Sequence, residues 1–183
     1  MTEGGFPALA LAFPEAAPLG EQLANAGMTI AVAESCTGGL LGAVLTANPG
    51  SCRYMRGGII AYADDVKAEH LGVGRHLLAT DGAVSAAVAA AMAAAARSRF
   101  EATIGVAITG VAGPSASEQK PAGLVFVAVA TPGASQVIRI DEDLGREANR
   151  SHAVHAALAL IAGAIQAPGK DPGAARSARS AGT

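Results

Sequence analysis

Three segments of the chain set chemically capable side chains directly behind apolar runs. The first is Ala33–Gly39 (AESCTGG), where Ser35, Cys36 and Thr37 precede two glycines. A serine hydroxyl beside a base is an acyl-transfer nucleophile, and amides that open a helix hold an oxyanion or a phosphate. Ser35 is therefore a candidate nucleophile, and the amides of Thr37, Gly38 and Gly39 are candidate anion donors. Capping of the next helix by Ser35 or Thr37 accounts for the same residues equally well, since Ser and Thr are ordinary N-caps. Cys36 offers a thiol that a helix start would help to ionise. As Ser35's immediate neighbour, it points the other way from the end of a strand.

The second segment, Gly57–Lys67 (GGIIAYADDVK), ends an apolar run at Tyr62 and places Lys67 in the first turn of a helix capped by Asp64. The positive end of the helix dipole and partial burial favour a neutral amine, while Asp64 or Asp65 opposes it. A neutral lysine accepts the proton of a serine hydroxyl, and Tyr62 can relay it or bond the attacked group. The plainer account is a solvated helix lysine. In the third segment, Thr109–Pro114 (TGVAGP), Gly110 and Gly113 form a turn after a buried strand, facing the same sheet edge as Ser35. A turn without a ligand fits that pattern as well.

Other chemistries find less support. No G-x-G-x-x-G follows a strand and no G-K-[ST] is present, which argues against a dinucleotide dehydrogenase and a P-loop NTPase. His70, His76, His152 and His155 lack companions at ligand spacing, so no metal is expected. Arg53, Arg56 and Arg146 are candidate phosphate partners or plain surface charges.

Alternating elements must position these segments. Helices are expected over Glu15–Ala26, Thr37–Ala47, Asp64–Leu71, Ala86–Arg99 (capped by Ser85) and Ala148–Gln166. In the last, Val154, Leu158, Ile161 and Ile165 form a core stripe. Strands are expected over Thr29–Glu34, Gly58–Tyr62, Thr103–Thr109, Leu124–Ala130 and Gln136–Ile140, the last two as an antiparallel hairpin. The class is α/β: a single-domain three-layer sandwich with a mixed, mainly parallel sheet flanked by helices. Residues 1–14 read as a loose leader, 15–166 as the folded domain and 167–183 as a disordered tail.

Composition narrows the partners. At 183 residues, one domain with a sizeable core is expected. Aromatics make up 3% and tryptophan is absent, so small aliphatic side chains must fill that core. A formal net charge of -2 with no basic run argues against direct nucleic-acid binding. No signal peptide or bilayer-length apolar run appears, and only Cys36 and Cys52 are present; a cytoplasmic protein without membrane contact is expected. The alanine-rich face of Ala86–Arg97 suits packing on a second copy in a homo-oligomer.

Taken together, AESCTGG at Ala33–Gly39, NPGSCRYMRGGIIAYADDVKAEHLGV at Asn48–Val73, GAVS at Gly82–Ser85, TGVAGP at Thr109–Pro114 and KPAG at Lys120–Gly123 resemble the CinA C-terminal domain family. The resemblance runs over about Glu15–Gln166. It implies a nicotinamide-nucleotide amidohydrolase that converts nicotinamide mononucleotide to nicotinate mononucleotide and ammonia, without metal or cofactor. Ser35 matches the family's proposed nucleophile, Tyr62 its tyrosine and Lys67 its lysine. Cys36, Thr37, Gly38, Gly39, Thr109, Gly110, Gly113 and Arg146 would bind the pyridine nucleotide. Members also occur fused behind a second domain linked to competence and DNA damage, to which none of these segments corresponds. This chain departs from the family in two places. Ser115–Gln119 lacks the usual glycines, and Gly145-Arg146-Glu147 stands where Gly-Asp-Arg is common. A non-enzymatic nucleotide or partner binder, and an amidase for another small amide, are the alternative readings.

Overall fold

A computed structural model of the chain describes residues 9–166. The expected tail and residues 1–8 of the expected leader lie outside the described residues. The helices are α1 (Leu9–Ala12), α2 (Ala16–Asn25), α3 (Leu40–Thr46), α4 (Asp64–Leu71), α5 (Arg75–Asp81), α6 (Ala86–Arg99) and α7 (Arg146–Gln166). The strands are β1 (Ile30–Glu34), β2 (Met55–Ile60), β3 (Ile104–Gly110), β4 (Leu124–Thr131) and β5 (Ala134–Asp141).

One five-stranded sheet has the order β2-β1-β3-β4-β5. β1 pairs in parallel with β2 and β3, whereas β3–β4 and β4–β5 are antiparallel. β4 alone therefore runs against the other strands, so the sheet is mixed and mainly parallel in strand direction. The α/β three-layer arrangement agrees with expectation.

Period-2 alternation gives the sheet unequal faces. Ile30, Val32, Ile104, Val106, Ile108, Val125, Val127 and Val129 point to the side covered by α2, α3 and α7. Ala31, Ala33, Ala107, Ala128 and Ala130 point to the side covered by α6. Small side chains there let α6 lie close against β3: a Cβ on Gly105 would stand 2.0 Å from the Ala93 carbonyl oxygen. In α6, Ala89, Ala93 and Ala96 are buried against the sheet. That face is used within the subunit; Ala86 and Ala94 are the alanines left exposed on this helix. Ser85 caps α6 as its sequence suggests, accepting a hydrogen bond from the Val88 amide at 3.3 Å.

Several boundaries moved. α3 begins at Leu40 rather than Thr37, because Gly38 and Gly39 take positive φ values of 62° and 95° and turn the chain first. β2 begins at Met55, where pairing with Ile30 starts, and stops before Tyr62. Within the expected leader, Leu9–Ala12 is helical and Phe13 is buried. α5, with no buried residue of its own, carried no periodic signal.

Candidate functional site

Register brings the chemistry to one edge of the sheet. Glu34 pairs with Ile60 on one side and Ile108 on the other. Just beyond, the Ser35 amide donates to the Ile108 carbonyl at 2.9 Å and the Ala61 amide to the Glu34 carbonyl at 2.7 Å. Ser35, Tyr62 and Thr109 thus emerge beside one another at the carboxyl ends of the parallel strands. The chain leaves β1 for a neighbour on one side and later returns on the other, a switch point where α/β sheets open a crevice.

A solvent-open pocket occupies that crevice, and Ser35, Cys36, Tyr62, Lys67, Thr109, Gly110, Gly113 and Arg146 all line it. Three expected members do not. Thr37 is fully buried, while Gly38 is exposed and Gly39 half-buried, both outside the pocket lining. Their amides are also spent: Gly38 donates to the Ser35 carbonyl at 3.0 Å, and Gly39 donates to the Glu34 carboxylate at 3.1 Å. Leu41 and Gly42 donate to the same carboxylate at 3.1 and 2.8 Å. An internal anion therefore fills the start of α3, which corrects the expectation that Gly38 and Gly39 would hold a substrate anion. The amides of Cys36 and Thr37 donate to no other residue among those described.

Lys67 is the largest fully buried side chain, at 1% exposure. Its Nζ donates to the Tyr62 carbonyl at 3.0 Å and to Asp64 Oδ1 at 3.4 Å. Neither acceptor is Ser35, so amine and hydroxyl share the pocket without a hydrogen bond between them. The Tyr62 ring is 60% exposed at the rim, and it is the residue's backbone that steadies the lysine. Burial pushes the Cys36 thiol up to about 11, with the nearby Glu34 carboxylate adding to the shift. At neutral pH Cys36 is a thiol, and its place is in the wall as an apolar side chain.

The third segment is mostly scaffold. Thr109 Oγ1 donates to the Ala83 carbonyl at 2.8 Å. A Cβ at Gly110 would lie 2.8 Å from the Leu124 carbonyl oxygen, so close strand packing requires glycine. Arg146 Nη1 donates to the Gly113 carbonyl at 2.7 Å, tying the start of α7 to the pocket loop.

Sequence reasoning missed three residues. Glu34 was counted only as the end of a strand, though a carboxylate closing an apolar run was itself a signal. Arg150 Nη2 donates to the Thr37 carbonyl at 2.7 Å; its place four residues after Arg146 puts both on one helix face. Asn149, buried, donates to the Ala112 carbonyl at 3.0 Å and to Asp143 Oδ1 at 2.9 Å. Hydrogen bonds from Asn149 and from the Gly145 amide hold the Asp143 carboxyl below its ordinary value. Elsewhere, Arg53 and Arg56 bond to Asn25 and the Phe100 carbonyl and do not line the pocket. His155 pairs with Glu15. Among the described residues, no three His, Cys, Asp or Glu side chains gather as metal ligands. No helix there is long and apolar enough to cross a membrane.

The model of the CinA C-terminal domain matches residues 14–165. The chain belongs to this family. It is 46% identical over 142 residues to a CinA-like protein of Gloeobacter violaceus, covering 76% of this chain and 33% of that one. A CinA-like protein of Mycobacterium avium is 57% identical over 113 residues, covering 60% and 26%. The chain thus spans about a third or less of the length of these relatives. The crystal structure of the competence/damage inducible protein CihA from Agrobacterium tumefaciens superposes with a TM-score of 0.81 at 36% identity, covering 88% of this chain and 98% of that one.

In this CinA domain the loop Ser115–Gln119 folds without glycine. Glu118 and Gln119 adopt left-handed φ values of 50° and 59°, a conformation that costs an ordinary residue about 1–2 kcal/mol. Paired backbone bonds between Ser117 and Lys120, at 3.0 and 2.8 Å, close the turn. Ser115, Ser117 and Glu118 consequently join the pocket wall.

Proposed function

We propose that this CinA domain is an amidohydrolase that deamidates nicotinamide mononucleotide to nicotinate mononucleotide and ammonia. The observation that carries the reading is the meeting of Ser35, Tyr62 and Lys67, from separate elements, in one pocket at the switch point of the sheet. Support for the substrate comes from the family motifs, whose serine, tyrosine and lysine are all retained.

In this mechanism the neutral Lys67 amine accepts the Ser35 proton as Ser35 Oγ attacks the carboxamide carbon. The free amide of Cys36, a residue of the pocket wall, serves the resulting oxyanion. Collapse breaks the C–N bond, and Lys67 returns its proton to the departing ammonia. Water then attacks the Ser35 ester, giving its proton to Lys67, and the carboxylate leaves as Ser35 is reprotonated. Tyr62 at the rim orients the amide, and Arg146 offers the remaining cationic contact for the nucleotide phosphate. Lys67 must turn from the Tyr62 carbonyl towards Ser35 for the first step, a shift a flexible lysine stem can make.

The test is ammonia release by purified protein from nicotinamide mononucleotide, beside free nicotinamide and an unrelated primary amide. Ammonia matched one to one by nicotinate mononucleotide, with the other amides poor substrates, is the expected result. Tight nucleotide binding with no ammonia would replace the enzyme by a binder. Turnover of another amide in preference would reassign the substrate.

A further inference from the structure

We propose that Glu118, held in place by Lys120, recognises the vicinal hydroxyls of a ribose-type sugar in the pocket; this rests on the nucleotide reading of the same site. Lys120 reaches out of its loop to the turn before α6. Its Nζ donates to the Asp81 carbonyl at 2.8 Å and the Val84 carbonyl at 2.6 Å, with Glu118 Oε2 at 3.8 Å. The pair lies directly over Gly82: a Cβ there would stand 2.6 Å from Lys120 Nζ and 2.8 Å from Glu118 Oε2. The turn is rigid in its own right. Ser85 Oγ donates to the Gly82 carbonyl at 3.1 Å and Thr109 Oγ1 to the Ala83 carbonyl at 2.8 Å. Side-chain donors thus hold all the carbonyls from Asp81 to Val84, and Lys120 latches the pocket loop to that frame.

The latch sets Glu118 in the pocket wall with its charge balanced by Lys120. At 3.8 Å the ammonium is beyond hydrogen-bond distance, and the carboxylate accepts no hydrogen bond among the described residues. Such an acceptor-only group has no hydrogen to offer a phosphate and, with its charge already balanced, gains little from a cation. It suits neutral donors, and a carboxylate can take two hydroxyls of a diol with its two oxygens. Carboxylates serve the ribose hydroxyls in this way in other α/β nucleotide sites.

The experiment compares Michaelis constants of the full chain for nicotinamide mononucleotide and its 2′,3′-dideoxy counterpart. Wild type is expected to show a KM about tenfold or more higher for the dideoxy compound. Glu118→Gln should raise the nucleotide KM by a similar factor, with the loss falling on KM rather than kcat, and erase the preference between the two. Lys120→Met should do the same, and Lys120→Arg should recover part of it. Equal KM values for the two nucleotides on wild type, or an unchanged nucleotide KM in Glu118→Gln, would overturn the proposal. Should wild type release no ammonia, the amidohydrolase reading falls, and equilibrium binding of the same two nucleotides decides this one. A diol preference lost in Glu118→Gln supports it, and equal affinities overturn it.

Discussion

Glu34 and Lys67 are both buried ionisable side chains at strand-to-helix junctions, each 1% exposed, yet their surroundings are opposite. The Glu34 carboxylate faces the amino end of α3 and accepts three backbone hydrogen bonds, from Gly39, Leu41 and Gly42. Charge and dipole agree there. Lys67 Nζ sits in the first turn of α4, where the dipole opposes positive charge, with one carbonyl at 3.0 Å and a half-exposed carboxylate at 3.4 Å. A saturated charge holds a loop still. An undersupplied one lines a pocket beside a serine, and on the proposed function the contrast divides scaffold from chemistry within about thirty residues of sequence.

Substituting each in turn sharpens the contrast. Lys67→Met should lower ammonia release by about a thousandfold, the usual worth of a positioned base. Its unfolding free energy should stay within about 1 kcal/mol of wild type or rise, since an apolar chain of similar length replaces a buried charge and Asp64 is left in water. Urea denaturation beside the assay reads both quantities. A strongly destabilised Lys67→Met would make the lysine a structural residue.

Glu34→Gln should do the reverse. Losing a carboxylate that three amides address is expected to cost about 2–3 kcal/mol. Activity should fall only as far as the Ser35 loop loosens. Unaltered stability in this variant would mean that the helix start does not need its internal anion and is open to a substrate one.

The smallest effect concerns the cysteines. The Cys36 pKa is raised to about 11, so its thiolate is scarce at neutral pH and appears only as pH climbs towards that value. Cys52 is exposed. Iodoacetamide at pH 8 should therefore label Cys52 and spare Cys36, with Cys36 labelling growing as the pH is raised. Fast labelling of Cys36 at pH 8 would restore it as a rival nucleophile.

Much of this was legible before any coordinates. The apolar runs Thr29–Glu34 and Thr103–Thr109 marked strands, Ser85 marked a helix start, and α4 fell on its expected bounds. The pocket's strand-end residues were legible as polar side chains behind apolar runs, and it was the family motifs that weighed a site against caps, turns and a solvated lysine. What stayed hidden depended on contacts between distant segments. That Glu34 folds back on α3, and that Lys120 reaches from its own loop to Asp81 and Val84, leaves no periodic trace in a single sequence. The helical span assigned to Thr37 failed for a local reason, since Gly38 and Gly39 could be read either as helix-opening amides or as left-handed turn residues.

The most direct measurement of the proposed Ser35 nucleophile is ammonia release from nicotinamide mononucleotide by Ser35→Ala beside Cys36→Ala. Loss to background is expected in Ser35→Ala, with native-like unfolding, and retention of most activity in Cys36→Ala. Ammonia release persisting in a folded Ser35→Ala protein would contradict it.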